Sequence, residues 1–177
     1  WLSLPTEFGM TTIRLAEVDD AAAITSIYNE GIADRGATFE TLPRSETEVA
    51  ARLADQARHA VLVATDAAGE VLGWAGLSSY RERACYAGIA EFSIYCARAA
   101  RGRGIGRHLL DALVRTAAER GFWKLVSRVF PFNHASLALC RACGFREVGV
   151  YHRHAQLDGR WLDVVIVERC LVADDSD

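Results

Sequence analysis

One stretch constrains this chain more than any other. Ile89 to Cys96 alternates like a strand, and after a short polar gap comes Arg101-Gly102-Arg103-Gly104-Ile105-Gly106, running into an amphipathic segment. A strand, a glycine-rich turn and a helix N-terminus together make an anion cradle. Backbone N–H groups point outward, the helix dipole favours negative charge, and glycine lets a phosphate approach the chain closely. Arg101 and Arg103 add paired donors suited to phosphate oxygens. The stretch therefore predicts a bound phosphate or pyrophosphate. It is not a Walker loop, because no Lys-Ser/Thr follows Gly106. Nor does it suit a dinucleotide fingerprint, which belongs to an early βαβ unit with an acidic residue on the next strand.

The periodicities around it describe a single mixed α/β domain. Ile13 to Leu15 reads as a strand, and Asp19-Asp20 starts a helix carrying Ile24, Ile27, Tyr28 and Ile32 that loosens between Gly31 and Gly36. Ser45 and Glu48 have the spacing of a capping box for a second helix. Ala60–Ala64 and Val71–Leu77 read as a hairpin across Ala67 to Glu70. In the strand from Ile89, alternation sets Phe92, Ile94 and Cys96 on one face and Glu91, Ser93 and Tyr95 on the other. A third helix with Leu109, Leu110, Leu113 and Val114 stops at Gly121. Lys124–Phe130 is a strand and Asn133–Cys143 a fourth helix. Phe145–His152 and Trp161–Cys170 close the chain around an Asp158-Gly159 turn. Residues 1–11 read as a vector remnant or disordered arm, 12–171 as the domain and 172–177 as an acidic tail.

The 177 residues suffice for a real core. A net charge of −3 argues against nucleic acid as the main partner, and no apolar run approaches the roughly 20 residues of a membrane span. Five cysteines without a secretion signal read as reduced core thiols, which implies a cytoplasmic protein. Cys140-x-x-Cys143 lacks a second ligand pair, so no metal site is expected.

At these spacings the chain resembles the Gcn5-related N-acetyltransferases, whose coenzyme A pyrophosphate motif Arg/Gln-x-x-Gly-x-Gly/Ala is met by Arg101, Gly104 and Gly106. The helix opened by Asn133 and closed at Cys143-Gly144-Phe145 extends the likeness over about residues 12 to 171. A narrower similarity is to phosphinothricin-type enzymes, including the branch that acts on arsinothricin. It is carried by Tyr28 to Ile32, Thr38 to Thr41 with Pro43, Arg83 to Tyr86 before Ala90-Glu91, Phe130 to Asn133, and Asp158 to Val164.

The resemblance implies a fold with a central mixed, mostly antiparallel sheet of about seven strands and about four helices. It also implies acetyl-CoA as co-substrate, acetylation of the α-amino group of a small glutamate-like amino acid as a resistance mechanism, and a homodimer with acceptor sites near the subunit interface. The alternatives are acetylation of methionine sulfoximine or another small amine, and a catalytically silent acetyl-CoA sensor. Residue by residue, it implies acetyl-CoA contacts from Ser93, Ile94, Tyr95, Arg101, Gly102, Arg103, Gly104, Ile105, Gly106, Asn133 and Ser136. For the acceptor it implies Tyr28, Phe39, Arg81, Arg83, Ala90 and Phe92.

Glu91, a carboxylate between apolar residues, reads as a structural acid paired with an arginine or as a general base for an acceptor ammonium. The family places its catalytic glutamate at that position. Arg81 and Arg83 read as a solvated loop or as bidentate donors to an anionic acceptor. Asn133, Ser136 and Cys140 share one helix face, and Asn133 is also a natural N-cap. Cys140 departs from the family, where His or Tyr is usual. It is either a proton donor to the leaving thiolate or inert packing.

Overall fold

A computed structural model describes residues 6–8 and 11–172. The remainder of the expected remnant or arm, and residues 173–177 of the expected acidic tail, lie outside the described residues. The strands are β1 (Thr6–Phe8), β2 (Thr11–Leu15), β3 (Val61–Thr65), β4 (Val71–Ser79), β5 (Ile89–Cys96), β6 (Lys124–Val129), β7 (Arg146–Leu157) and β8 (Arg160–Cys170). The helices are α1 (Ala21–Ala33), α2 (Glu46–Ala54), α3 (Ile105–Glu119) and α4 (His134–Ala142). All eight strands form one sheet in the order β1-β2-β3-β4-β5-β6-β8-β7. The seven expected strands and four expected helices are present. β1 adds a short edge strand, paired with β2, from a stretch that the sequence had left out of the fold.

The sheet is sandwiched, and the alternation along β5 assigns its faces. Phe92 packs with Leu109, Leu110 and Leu113 of α3, all three fully buried, and with Leu137 and Cys140 of α4. Burying each leucine is worth about 1.5–3 kcal/mol. Tyr95 turns the other way, into the layer that Ile24 and Ile27 of α1 and Val49 and Leu53 of α2 form against Val63 and Trp74. Helix α2 begins as its spacing predicts: Ser45 and Glu48 cap one another reciprocally.

Two local readings are corrected. Helix α1 does not loosen at Gly31 but continues to Ala33. A Cβ at Gly31 would sit 2.7 Å from the Tyr95 ring, so glycine serves close packing there rather than a turn. Strand β7 continues past His152 to Leu157, through an irregularity between Tyr151 and Ala155. Asp163 of β8 accepts the Arg153 N–H at 2.8 Å and lies 3.0 Å from His152 Nδ1, which holds the irregular segment against its partner strand. Asp158 and Gly159 then turn the chain at φ 48° and 77°, as a two-residue hairpin turn with a right-handed twist requires.

One strand pair positions the site. Every pairing is antiparallel except β5–β6, and that parallel ladder runs only from Ile89–Lys124 to Glu91–Val126. Beyond Glu91, β5 stays paired with β4 as far as Cys96, while β6 stays paired with β8 as far as Val129. The sheet therefore opens between its two central strands, with Glu91 at the fork.

Candidate active site

The backbone lining the fork follows from hydrogen-bond parity. The Ala97 N–H donates to Leu72 O at 2.9 Å, so the odd-numbered residues of β5 turn their peptide groups toward β4. Phe92, Ile94 and Cys96 accordingly turn theirs toward β6. The Phe92 carbonyl accepts from the Ser127 hydroxyl at 3.0 Å, and the Cys96 carbonyl from Arg101 Nε at 3.2 Å. Between these two anchors, Ile94 presents its N–H and C=O to the open gap.

Two clefts meet there. One, of about 440 Å³, runs along the glycine turn and takes in Arg101, Gly102, Gly104, Ile105 and Gly106. The other, of about 420 Å³, extends past Glu91 and includes Tyr28, Phe39, Phe92, Ser93 and Cys140. Ile94, Tyr95, Asn133, Ser136 and Leu139 line both. A long anionic ligand laid along the turn therefore reaches the fork at Ile94, where a second molecule beside Glu91 meets its far end.

The turn is built for close approach. Gly102 and Gly104 have φ of 75° and 79°, and Gly104 is the N-cap of α3. A Cβ at Gly106 would come to 3.2 Å from Leu139 of α4. Arg101 is held differently from the expected phosphate ligand: its Nη2 bonds Asp34 at 2.9 Å, beside Arg98 on the same carboxylate at 2.7 Å. Arg98, and then Arg101, hold the Asp34 carboxyl below its ordinary range. These arginines pin the loop to the end of α1, and Asp34 itself lines the turn cleft. Sequence reading missed Asp34 because nothing local links it to a loop some 67 residues away.

On the acceptor side, Glu91 Oε2 accepts from Arg128 Nη2 at 2.5 Å. Tyr28 and Tyr95 line this cleft 4.9 Å apart, and buried Trp74 backs them, stacked on Tyr95 at 5.2 Å. Burial pushes the Tyr95 phenol upward, so it stays neutral. Asn133 caps α4 through the Ser136 N–H at 3.1 Å and donates to Gly36 O at 3.1 Å, tying that helix to the loop after α1. Cys140 is almost fully buried, and burial, helped by Glu147, pushes its thiol up to about 11.

Four expected site residues are not brought into either cleft. Arg81 is exposed over the Tyr80 ring, 5.2 Å from its centroid, and Arg83 precedes a short turn of 3₁₀ helix at the surface. Arg103 is exposed at the loop tip. Ala90 is fully buried on the α3 face, because strand alternation turns it away from Glu91. Conversely, Arg128 and His154 line the acceptor cleft without having been expected there. They come from β6 and the irregular part of β7, and only strand pairing brings them in.

A glycine turn at a helix N-terminus, an unpaired strand edge and a carboxylate at the fork are the features an acyltransferase needs. The model of the Acetyltransferase (GNAT) family matches residues 24–145, and the chain belongs to that family. It is 40% identical over 169 residues to the phosphinothricin N-acetyltransferase of Alcaligenes faecalis, covering 93% of this chain and 85% of that enzyme. It is 35% identical over 159 residues to the L-methionine sulfoximine/L-methionine sulfone acetyltransferase of Pseudomonas aeruginosa, covering 89% and 92%. Among solved structures, a GNAT superfamily phosphinothricin acetyltransferase from Sinorhizobium meliloti in complex with AcCoA superposes with a TM-score of 0.85 at 36% identity, covering 91% and 88%.

Proposed function

We propose that this acetyltransferase moves the acetyl group of acetyl-CoA to the α-amino group of a small glutamate-like amino acid with a tetrahedral side-chain head, of the phosphinothricin or arsinothricin type, and so detoxifies it. The observation that carries the reading is the fork at Glu91, where the cleft of the glycine turn joins a second cleft containing a carboxylate. The names of the relatives from Alcaligenes faecalis and Pseudomonas aeruginosa supply the acceptor class.

In this mechanism the pyrophosphate lies on the N–H groups of the turn and the N-terminus of α3. The pantetheine runs along the open edge of β5, and the thioester carbonyl accepts from the Ile94 N–H. Glu91 takes a proton from the acceptor ammonium, and the neutral amine attacks the thioester carbon. The developing oxyanion is stabilised at Ile94. Collapse expels the coenzyme A thiolate, the nitrogen gives up its extra proton to it, and a neutral amide and free thiol result. Direct transfer fits Cys140 better than an acetyl-cysteine intermediate, because a thiol pushed up to about 11 supplies almost no thiolate nucleophile at neutral pH. It remains protonated, and its part is limited to a hydrogen bond from the thiol to the leaving sulfur.

The test is thiol release across glutamate, phosphinothricin, arsinothricin and methionine sulfoximine, for the wild-type enzyme and Glu91→Gln. Turnover is expected with at least one tetrahedral-headed acceptor, and Glu91→Gln should lower kcat about 10²- to 10⁴-fold while leaving acetyl-CoA affinity intact. A clear preference for an aminoglycoside or a protein N-terminus sinks the acceptor assignment. An unchanged kcat in Glu91→Gln sinks the assignment of the base.

A further inference from the structure

Arg128 is the one arginine that lines the acceptor cleft among the described residues. It sits on the face of β6 that also carries Val126, the residue opposite Glu91 in the parallel ladder. On the other face Leu125 is fully buried in the α3 layer. The Arg128 guanidinium gives one nitrogen to Glu91 Oε2 at 2.5 Å, and its side chain stays 45% exposed, against 25% for Glu91. The pair therefore lies in the cleft wall, where a ligand can reach both partners. A guanidinium has five N–H donors in a fixed plane, and this contact uses one.

An α-amino acid carries an ammonium and a carboxylate on the same carbon. Glu91 and Arg128 offer a carboxylate and a guanidinium in direct contact, which is the complementary arrangement. When the acceptor ammonium lies against Glu91, the neighbouring α-carboxylate falls within reach of the remaining Arg128 donors. The side-chain head, several bonds further from Cα, lies beyond this pair. Arg81 and Arg83 are on the surface of this chain and do not line the cleft, so Arg128 is the arginine of this chain that stands beside Glu91.

We infer that Arg128 determines specificity for the zwitterionic α-amino-acid head group, binding the acceptor's α-carboxylate while it remains bonded to Glu91. This rests on the reading of Glu91 as the base for an α-amino acid and adds the group that recognises the other half of the acceptor's head. It predicts that amines without an α-carboxylate are poor acceptors whatever their side chain. Proton transfer is unchanged: one proton passes from the ammonium to Glu91, and Arg128 neither gains nor loses one.

The experiment compares methionine sulfone with its α-carboxamide, which keeps the amine and the tetrahedral head but removes the negative charge. Thiol release is measured for the wild-type enzyme, Arg128→Met and Arg128→Lys, each first shown to bind acetyl-CoA normally. Comparing acid-to-amide ratios between enzymes cancels the different basicities of the two amines. The ratio of kcat/KM values should fall about 10- to 100-fold in Arg128→Met, as expected for loss of a charge-assisted contact, mainly through the KM for the acid. Arg128→Lys should recover part of it. Equal losses for acid and amide, which leave the ratio unchanged, would mean that Arg128 only holds Glu91 in place, and no loss for either would mean that it does not meet the acceptor; either result overturns the inference. A wild-type enzyme that turns over none of methionine sulfone, phosphinothricin and the carboxamide overturns instead the acceptor reading on which it rests.

Discussion

Cys140 and Cys143 flank the end of α4 and are both almost fully buried. Burial, and secondarily Glu147, pushes Cys140 up to about 11; burial, and secondarily Asp111, pushes Cys143 up to about 12. An unfolded cysteine ionises near about 8.5. Below that value both states are protonated and the folded state keeps its full stability. Above it only the unfolded chain releases protons, so stability falls by about 1.4 kcal/mol per pH unit for each such thiol until the folded thiols ionise. The denaturation midpoint should therefore drop between pH 8 and pH 10, and the drop should shrink in Cys143→Ala. Iodoacetamide applied to the native enzyme at neutral pH should label the exposed Cys85 and Cys170 but spare Cys140 and Cys143, as read by peptide mass mapping. Fast labelling of Cys140 would contradict this account and reopen the covalent route. At this scale the sequence was partly legible. Glu91 stood out because a carboxylate in an apolar strand needs a reason, whereas Arg128, on the half-exposed face of its strand, and Asp34, at a helix end, acquire meaning only from partners far along the chain.

The glycine turn is an element whose proposed function follows from its conformation. Gly104 occupies the left-handed region at φ 79°, and a Cβ there would meet nothing within 4 Å. The cost of Gly104→Ala is thus conformational rather than steric, about 1–2 kcal/mol. A loop that relaxes out of that conformation turns its N–H groups away from the cradle. Calorimetry should show a lower unfolding free energy and a weaker Kd for acetyl-CoA, with acceptor selectivity unchanged; undiminished acetyl-CoA affinity would show that the cradle does not depend on this backbone. Such elements are legible because their signals are local: alternation for β5, glycines for the turn, a capping box for α2. The parting of β5 and β6 is not local. It depends on β4 and β8 holding their neighbours past the last parallel pair, and no short window of sequence records that. The extension of β7 likewise depends on Asp163 across the hairpin.

The whole molecule leaves one edge of its sheet conspicuously uncovered. β7 is exposed along nearly its full length, including Val148, Val150 and Tyr151, and Trp161 of β8 is more than half exposed beside it. A long edge strand carrying apolar side chains favours pairing with another chain. Tyr80 first, and to a smaller extent Tyr86 and Tyr151 of β7, raise the Arg81 guanidinium above its ordinary range, which sets its side chain near this edge. A second copy packed on β7 would therefore carry Arg81 and Arg83 from an open surface into an interface, where cations gain strength from exclusion of water. On this ground we propose the homodimer implied by the sequence resemblance as the working form, which gives arginines outside both clefts a place in acceptor binding. Sedimentation velocity should give twice the chain mass, and the double substitution Val150→Asp, Tyr151→Asp should give a folded monomer. That monomer should bind acetyl-CoA normally, because the glycine turn and the open edge of β5 lie within one chain. Its kcat/KM for the acceptor should fall about 10-fold or more, the worth of a lost charge-assisted contact. A wild-type monomer in solution, or a monomeric variant with full acceptor turnover, would make each subunit self-sufficient and return Arg81 and Arg83 to the role of solvated surface residues.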